Sequence, residues 1–351
     1  MPVSDQSADE LRAIAARRRA ERAAGSAVVR LVDIGRPARA SAWEPATIEA
    51  RVGGLELSAW VSGHADLVRE LVATHGAVLL TGMVVDADSF GAVVSLVADA
   101  PLGDYVNRST PRTRVSGRIF TSTEYSADLA IPMHSEQSYT TSWPLVLGFW
   151  CDRPATQGGM TPLAPTDRVL ELLPHSLVDR FEADGVCYER WYHPHLDLPW
   201  QEVFQTGDPE EVEALCVAAG IETHWEGELL RTRQTAQASV NHRGRPRWFN
   251  QASLFHPSAL PAHGEAALRQ SVGDRLPRNA WYGDLAPISA GDIAVIGEAF
   301  DTASWRRPWR TDDVLLVDNV AVAHGRTPFR GARRVLVAMA GSGTADERGQ
   351  M

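Results

Sequence analysis

A histidine and a carboxylate two positions apart are the residues of this sequence best spaced to act on one chemical group. They are His134 and Glu136, within the stretch Pro132 to Tyr139. Side chains alternate between the two faces of an extended strand, so residues two apart project to the same side and can reach one metal ion. A His-x-Glu pair is common by chance, and the alternative interpretation is an ordinary pair on the surface.

A second histidine adds weight to the metal interpretation. His324 follows the stretch 314–323, which is rich in valine and predicts strand structure up to the histidine. Two histidines and one carboxylate on one side of a metal, with open positions opposite, are the ligand set of non-haem Fe(II) oxygenases. The three residues can meet only in a fold that returns the C-terminal strands beside the middle of the chain, as a double-stranded β-helix does. The alternative is that His324 makes only a backbone hydrogen bond at the strand end.

Arginines follow His324 at positions 326, 330, 333 and 334. Fe(II) of this kind needs a two-electron donor to activate O2, and a guanidinium fork suits a cosubstrate that carries a carboxylate. Neighbours on a strand point to opposite faces, so only one of Arg333 and Arg334 can face inward, and the pattern that follows does not choose between them. Thr161, in the turn 158–162, is a candidate to share that carboxylate. A surface ion pair and an ordinary turn are the alternatives.

Composition excludes several classes of function. The chain has 351 residues, 44% of them hydrophobic and 22% charged, which is typical of a globular protein with a sizeable core. The formal charge of −10 argues against nucleic acid as a partner, and no segment approaches the roughly 18 to 20 apolar residues of a membrane span. No signal-peptide core is evident, and the three cysteines form no CxxC pair, so we expect reduced thiols in the cytoplasm.

The surrounding pattern predicts an α+β chain whose core is a double-stranded β-helix, a cupin-like jelly roll with flanking helices. The predicted elements are a helix at 7–25, strands at 55–60, 77–82 and 146–151, helices at 66–73, 90–100 and 167–173, an ordered loop at 186–205, and a helix from 208 to 220. We expect an N-terminal helical extension over 1–40 and one domain over 41–351, with an inserted helical and loop segment at about 165–245.

Three motifs resemble a known family. His134-Ser135-Glu136, the turn Gly158-Gly159-x-Thr161, and the stretch from Asp318-Asn319 through His324-Gly325-Arg326 to Arg333-Arg334 are similar to the taurine dioxygenase (TauD/TfdA)-like family of Fe(II)/2-oxoglutarate-dependent oxygenases. Within it the chain most resembles the SyrP-like branch, bacterial enzymes associated with amino-acid hydroxylation in peptide natural-product pathways. The resemblance covers roughly residues 75–341, and residues 1–40 lie outside it.

The resemblance implies that His134, Glu136 and His324 are the iron ligands. It also implies that Thr161 and Arg334, the second of the paired arginines, hold the C5 carboxylate of 2-oxoglutarate. The sequence departs from the family at three positions without loss of a ligand: Ser135 stands where asparagine is common, Met160 replaces an acid, and Asp312 replaces a turn glycine.

Two further residues are candidates to line a substrate pocket. They are Glu124 and Asn250, which lie in stretches that also resemble the SyrP-like branch, although a turn glutamate and a strand-end asparagine are commonly structural.

The expected activity is hydroxylation of an unactivated C–H bond in an amino acid or amino-acid-derived substrate, with Fe(II), 2-oxoglutarate and O2. The substrate is either free or presented on a carrier protein, and the sequence leaves both open. Glu136 favours hydroxylation or desaturation, because the halogenases of the family lose this carboxylate. The alternatives are desaturation or cyclisation by the same oxidant, and a non-catalytic metal-binding jelly roll.

Overall fold

The computed structural model describes residues 31–37, 42–103, 113–122, 125–260 and 262–344. The helix predicted at 7–25 and the candidate Glu124 lie outside the described residues. The strands are β1 (Val32–Gly35), β2 (Ala46–Ala50), β3 (Ala77–Thr81), β4 (Arg114–Ser116), β5 (Ile119–Thr121), β6 (Ile131–His134), β7 (Ser142–Trp143), β8 (Val146–Arg153), β9 (Gln157–Gly158), β10 (Leu163–Pro165), β11 (Val186–Trp191), β12 (Glu222–Glu226), β13 (Leu229–Ala236), β14 (Ser239–His242), β15 (Arg245–Trp248), β16 (Arg278–Tyr282), β17 (Val314–Asp318), β18 (Val322–Arg326), β19 (Phe329–Arg330), β20 (Arg334–Ala340) and β21 (Gly343–Thr344).

Helices flank these strands. They span Leu57–Ser62, Ala65–His75, Ala87–Ala98, Thr166–Leu172, His175–Asp184, Trp200–Phe204, Pro209–Ala218, Ala252–Phe255, Ala262–Val272 and Ala290–Ala303, with a 3-10 turn at Pro257–Ala259. Within the described ranges, none of them combines the length and the apolar character that crossing a membrane would require.

Two sheets form the core of the jelly roll. The larger has eight strands in the order β1-β2-β3-β17-β8-β20-β5-β4, and every described pair except β2–β3 is antiparallel. The smaller has the order β10-β18-β6. Leu163 and Val322 of the smaller sheet pack in one buried cluster with Leu315 and Val335 of the larger. The two sheets therefore share a core, and the predicted jelly-roll architecture is confirmed.

Helices cover the other face of the larger sheet. Along β17, Leu315 faces the second sheet, whereas its neighbour Leu316 packs in a separate cluster with Phe90 and Leu71 of the helices. This is the period-two alternation of a strand that is buried on both faces. The helix Ala87–Ala98 begins with a capping box, in which the side chains of Asp86 and Ser89 each accept a hydrogen bond from the other's backbone N–H.

The segment between β10 and β17 forms an insertion with a sheet of its own. This sheet has the order β12-β13-β11-β16, and its last strand lies well beyond residue 245, the predicted end of the insertion. Phe181, Tyr188 and Phe255 of the insertion pack in one cluster with Met133 and Ala323 from the smaller sheet of the jelly roll. The insertion is thus built directly onto β6 and β18.

Two local predictions were wrong. The strand predicted at 55–60 is a helix, Leu57–Ser62, because the apolar residues Leu57, Trp60 and Val61 follow the spacing of a buried helical face. The loop predicted at 186–205 begins with β11, whose six residues are all buried. A strand covered on both faces shows no alternation of polar and apolar residues, so period-two patterning does not reveal β11.

One departure from the family pattern fits the backbone that a turn glycine would adopt. Asp312 has a φ of 63°, in the left-handed region that glycine tolerates best and aspartate better than most other residues. Its carboxylate accepts a hydrogen bond from the indole N–H of Trp150 at 3.1 Å, which links this turn to β8.

Candidate metal centre and adjoining cavities

Three side chains meet where the smaller sheet of the jelly roll contacts the insertion. Candidate ligand atoms of His134, Glu136 and His324 all lie within 4.8 Å of one another, and each residue is buried. His134 ends β6 and lies directly opposite His324 on β18, so strand pairing brings the two imidazoles together with their ring centroids 4.4 Å apart. Glu136 lies in the turn after β6 rather than on a continuous strand, which corrects the extended geometry assumed from the sequence.

The donor set suits a divalent transition metal. The Nδ1 atom of His134 lies 2.9 Å from the carbonyl oxygen of Pro132, and a hydrogen bond donated there makes Nε2 the ligand atom of this imidazole. Two imidazoles and a carboxylate, each 8% exposed or less, match the two-histidine, one-carboxylate ligand set of non-haem Fe(II) sites. The residues present therefore fit Fe(II).

The backbone of Glu136 is held by a residue 183 positions away. The side chain of Asn319 accepts a hydrogen bond from the Glu136 N–H at 2.7 Å and donates one to the Glu136 carbonyl oxygen at 2.9 Å. The neighbouring Ser135 carbonyl accepts a hydrogen bond from Gln251 of the insertion at 2.6 Å. The turn that carries Glu136 is therefore fixed by polar side chains where no strand ladder is available.

A small cavity of about 30 Å³ adjoins the histidines inside the jelly roll. Thr161 and Arg333 line it together with His134 and His324. The Arg333 Nε–H donates to the Gly159 carbonyl oxygen at 2.9 Å. Because Gly159 has a φ of 66° and lies against the Arg333 side chain, the turn 158–162 fits closely around this guanidinium.

The electrostatics of this cavity favour an anion. Burial, with the nearby Arg326 cation adding to it, lowers the pKa of Arg333 to about 10, so the fold holds the charged guanidinium at a cost. An anion beside the two guanidiniums would offset that cost. The indole N–H of Trp309 donates to the Thr161 Oγ at 3.1 Å, which leaves the Thr161 hydroxyl proton to be donated elsewhere.

The prediction for Arg334 was wrong. Arg334 lies on the outside of β20, with a side chain 48% exposed and its Nη1 atom 3.3 Å from Asp152 Oδ2. Val335 and Val337 line the small cavity, so strand alternation turns Arg333 toward it. A register shift in the pairing of β20 with β8 separates Arg334 from Val335, and no pattern in the sequence indicates that bulge.

Asn250 is not among the residues that line either cavity, which corrects its prediction as a pocket residue. Its amide donates to the Ala238 carbonyl oxygen at 2.8 Å and its Oδ1 accepts from the Ala252 N–H at 3.1 Å. Asn250 therefore shapes the backbone of the insertion.

A second, much larger cavity of about 760 Å³ opens on the other side of the cluster, and His134 and Glu136 form part of its wall. The insertion supplies most of the rest, from segments 194–199, 254–260 and 276–278. Most of these side chains are apolar. A bidentate ion pair is the main exception, with Arg278 Nε and Nη2 lying 2.7 and 2.8 Å from the carboxylate oxygens of Asp197. No sequence motif indicates this pair, because 81 residues separate its members.

The fold and this site together define a class of protein. A jelly roll that carries two histidines and a carboxylate in one buried cluster has the arrangement of a non-haem Fe(II) oxygenase. The sequence matches the family described as "Taurine catabolism dioxygenase TauD, TfdA family" over residues 40–340, and the chain belongs to that family. It is an Fe(II)- and 2-oxoglutarate-dependent dioxygenase, with Fe(II), 2-oxoglutarate and O2 as the groups it uses.

Individual relatives agree with this assignment. Dapdiamide synthesis protein DdaC from Enterobacter agglomerans is 36% identical over 309 residues, which cover 87% of this chain and 93% of the relative. A clavaminate synthase-like protein from Arabidopsis thaliana is 30% identical over 284 residues, covering 77% and 82%.

Solved structures share the fold. The PvcB protein from Pseudomonas aeruginosa has a TM-score of 0.51 at 15% identity, over 88% of this chain and 91% of that one. A putative alpha-ketoglutarate dependent 2,4-D dioxygenase from Burkholderia xenovorans has a TM-score of 0.51 at 16% identity, over 91% and 99%.

Proposed function

We propose that this dioxygenase hydroxylates an unactivated C–H bond of an amino acid or amino-acid-derived substrate in natural-product biosynthesis. His134, Glu136 and His324 hold the iron in this proposal, and Thr161 and Arg333 hold the C5 carboxylate of 2-oxoglutarate. The observation that carries it is the position of His134 between two cavities, one small and lined by arginines, the other large and mostly apolar. That separation suits a cosubstrate on one side of the iron and a substrate on the other.

The chain's own residues bind, orient and exclude water. When bound, iron would activate O2, which is the oxidant, and 2-oxoglutarate would supply two electrons as it is converted to succinate and CO2. The Arg333 guanidinium and the Thr161 hydroxyl both donate hydrogen bonds, so together they match a carboxylate, which only accepts them. The apolar walls of the larger cavity, among them Ile131, Phe255 and Leu276, exclude water from the face where the substrate reacts.

Two observations support the substrate class. DdaC, which the chain matches over 93% of its length, is by its name a protein of dapdiamide synthesis, and this supports a natural-product pathway. The larger cavity, at about 760 Å³, is within the range that takes drug-sized ligands. A substrate larger than a free amino acid therefore fits, either as a small-molecule derivative or as an aminoacyl group presented on a carrier protein.

The test begins with anaerobic titration of Fe(II) and then 2-oxoglutarate into the protein. Free amino acids, small peptides and carrier-loaded aminoacyl groups are then screened for oxygen-dependent succinate formation, followed by mass analysis of the product. The expected product carries one added oxygen atom, whereas loss of two hydrogens would instead indicate desaturation or cyclisation. The variants His134→Ala and His324→Ala serve as controls and should not bind Fe(II) or form succinate. Undiminished turnover in both would refute the assignment of the iron ligands.

A further inference from the structure

Asn319 is a fully buried residue whose polar atoms are directed at the loops beside the metal cluster. It follows β17 and begins the turn that leads into β18 and His324. Its side chain makes three hydrogen bonds: it accepts from the Glu136 N–H at 2.7 Å, and it donates to the carbonyl oxygens of Glu136 at 2.9 Å and Pro144 at 2.8 Å. Such a network in a dry interior is costly to lose, because each backbone group would remain buried without a partner.

The two hydrogen bonds between Asn319 and Glu136 replace the backbone hydrogen bonds that a neighbouring strand would otherwise provide. Strand β6 ends at His134, so the peptide groups on either side of Glu136 lie in a turn that begins beyond the ladder. Asn319 contacts the N–H and the carbonyl oxygen of the same residue, and this fixes the rotation of the backbone that aims the carboxylate. Without these bonds the turn could rotate and carry the carboxylate away from the imidazoles.

The turn that carries Asn319 is held in place by the side chain of the preceding residue, Asp318. One carboxylate oxygen of Asp318 accepts from the N–H groups of Val320 and Ala321, both at 3.1 Å, and the other lies 2.8 Å from His242 Nε2 in the insertion. Burial by itself would raise the pKa of Asp318, but the hydrogen bond and charge of His242 and the Ala321 N–H lower it below its ordinary value. The turn 318–321 is therefore held at several points, and it joins Glu136 to the strand of His324.

We propose that Asn319 is a positioning residue, which sets the Glu136 carboxylate at the distance from His134 and His324 that a divalent metal requires. The inference rests on the proposed function, since it assumes that these three residues are the metal ligands. Asn319 does not touch the metal in this scheme. It acts through the Glu136 backbone, as partners behind metal ligands do when they fix ligand orientation.

The test measures Fe(II) and Co(II) affinity under anaerobic conditions for the wild type and for Asn319→Ala and Asn319→Asp. The alanine variant loses all three hydrogen bonds, whereas the aspartate variant keeps the acceptor for the Glu136 N–H and loses both donors. Loss of such a partner typically costs about 10- to 100-fold in metal affinity, and we expect both variants in that range. The visible spectrum of the Co(II) protein should also change in both, because it reports coordination geometry.

A matched control separates positioning from general destabilisation. Gln234 is another buried amide side chain, and it donates to the Ala219 carbonyl oxygen at 3.1 Å in the sheet of the insertion. Gln234→Ala should lose stability yet keep the metal affinity and the Co(II) spectrum of the wild type. Should Asn319→Ala fail to fold, the aspartate variant carries the test. If folded Asn319 variants keep the wild-type metal affinity and Co(II) spectrum, the positioning role of Asn319 is refuted and the proposed function stands. If the wild-type protein binds no metal, both the positioning role and the proposed function are refuted.

Discussion

Replacing one arginine of the adjacent pair Arg333–Arg334 should abolish tight binding of 2-oxoglutarate, and replacing the other should hardly affect it. Arg333 lines the small cavity beside Thr161, where the fold holds its guanidinium at a cost that lowers its pKa to about 10. Truncating one partner of a buried, hydrogen-bonded charge pair costs about 2 to 5 kcal/mol. Arg333→Ala should therefore raise the dissociation constant of 2-oxoglutarate by about 30-fold to several thousand-fold.

Arg334 provides the matched control. Its partner is Asp152 at 3.3 Å, and its side chain is 48% exposed. Exposed ion pairs contribute about 0 to 1 kcal/mol, so Arg334→Ala should change the dissociation constant by about fivefold at most. Arg333→Lys should fall between the two, because the ammonium keeps the charge but loses the planar fork that matches a carboxylate.

The assay is anaerobic calorimetric titration of 2-oxoglutarate into the Fe(II)-loaded protein, with urea unfolding of each metal-free variant as a second measurement. The lowered pKa of Arg333 means that the fold disfavours its charge, so Arg333→Ala should not lose stability in the metal-free protein. Weak 2-oxoglutarate binding with undiminished stability in Arg333→Ala would show that Arg333 serves to bind the ligand and does not stabilise the fold. A large loss of affinity in Arg334→Ala with normal binding in Arg333→Ala would refute the assignment.

Three other perturbations test the site and its surroundings. A Cβ at Gly159 would lie 2.9 Å from the Arg333 side chain, so Gly159→Ala should weaken 2-oxoglutarate binding, whereas Gly54→Ala, with similar backbone strain but open space around it, should not. Burial lowers the pKa of His256 below its ordinary 6.5, so the free energy of unfolding, measured with urea, should decrease as the pH falls below 6.5. This decrease should be less steep in His256→Asn. Fe(II) should raise the melting temperature under anaerobic conditions and a chelator should reverse it, because binding stabilises the folded state. No shift with Fe(II) would contradict the metal site.

From the sequence we could predict the features that depend on a short stretch of residues. His134 and Glu136 are two positions apart, and His324 follows a valine-rich stretch, so their types and spacing are enough to suggest the metal cluster. The strand predicted at 77–82 is β3, Ala77–Thr81, and the predicted helix at 66–73 lies within Ala65–His75. The helix is confirmed because its apolar residues recur at helical spacing, and the strand because a short apolar run that ends at a glycine is typical of a buried strand.

Short sequence patterns do not specify contacts between distant residues or the register in which strands pair. Arg333 shares the inward face of Val335 and Val337, which only the pairing of the sheets reveals, and Asn319 meets Glu136 across 183 residues of sequence. The residue types along β20 indicate which arginine faces inward, once it is known that helices cover the other face of the sheet. Ala338 and Ala340 pack against the helical layer, whereas the larger Met339 fills the space between the sheets. Periodicity over Val335 and Leu336 could not reveal this, since both are apolar.

The insertion contacts both the larger cavity, where we propose that the substrate binds, and the loop that carries Glu136. It builds most of the larger cavity, and it also donates hydrogen bonds to the carbonyl oxygens of the loop around Glu136, from Gln251 to Ser135 at 2.6 Å and from Gln237 to Ser138 at 2.9 Å. The segment 194–199 lines the cavity but supplies none of the three clustered candidate ligands, so we expect its sequence to change the substrate without replacing a ligand. Exchanging 194–199 between related dioxygenases should therefore alter substrate choice at constant Fe(II) affinity, whereas Gln251→Ala should weaken Fe(II) binding. Equal loss of metal in both would show that the insertion acts as one unit.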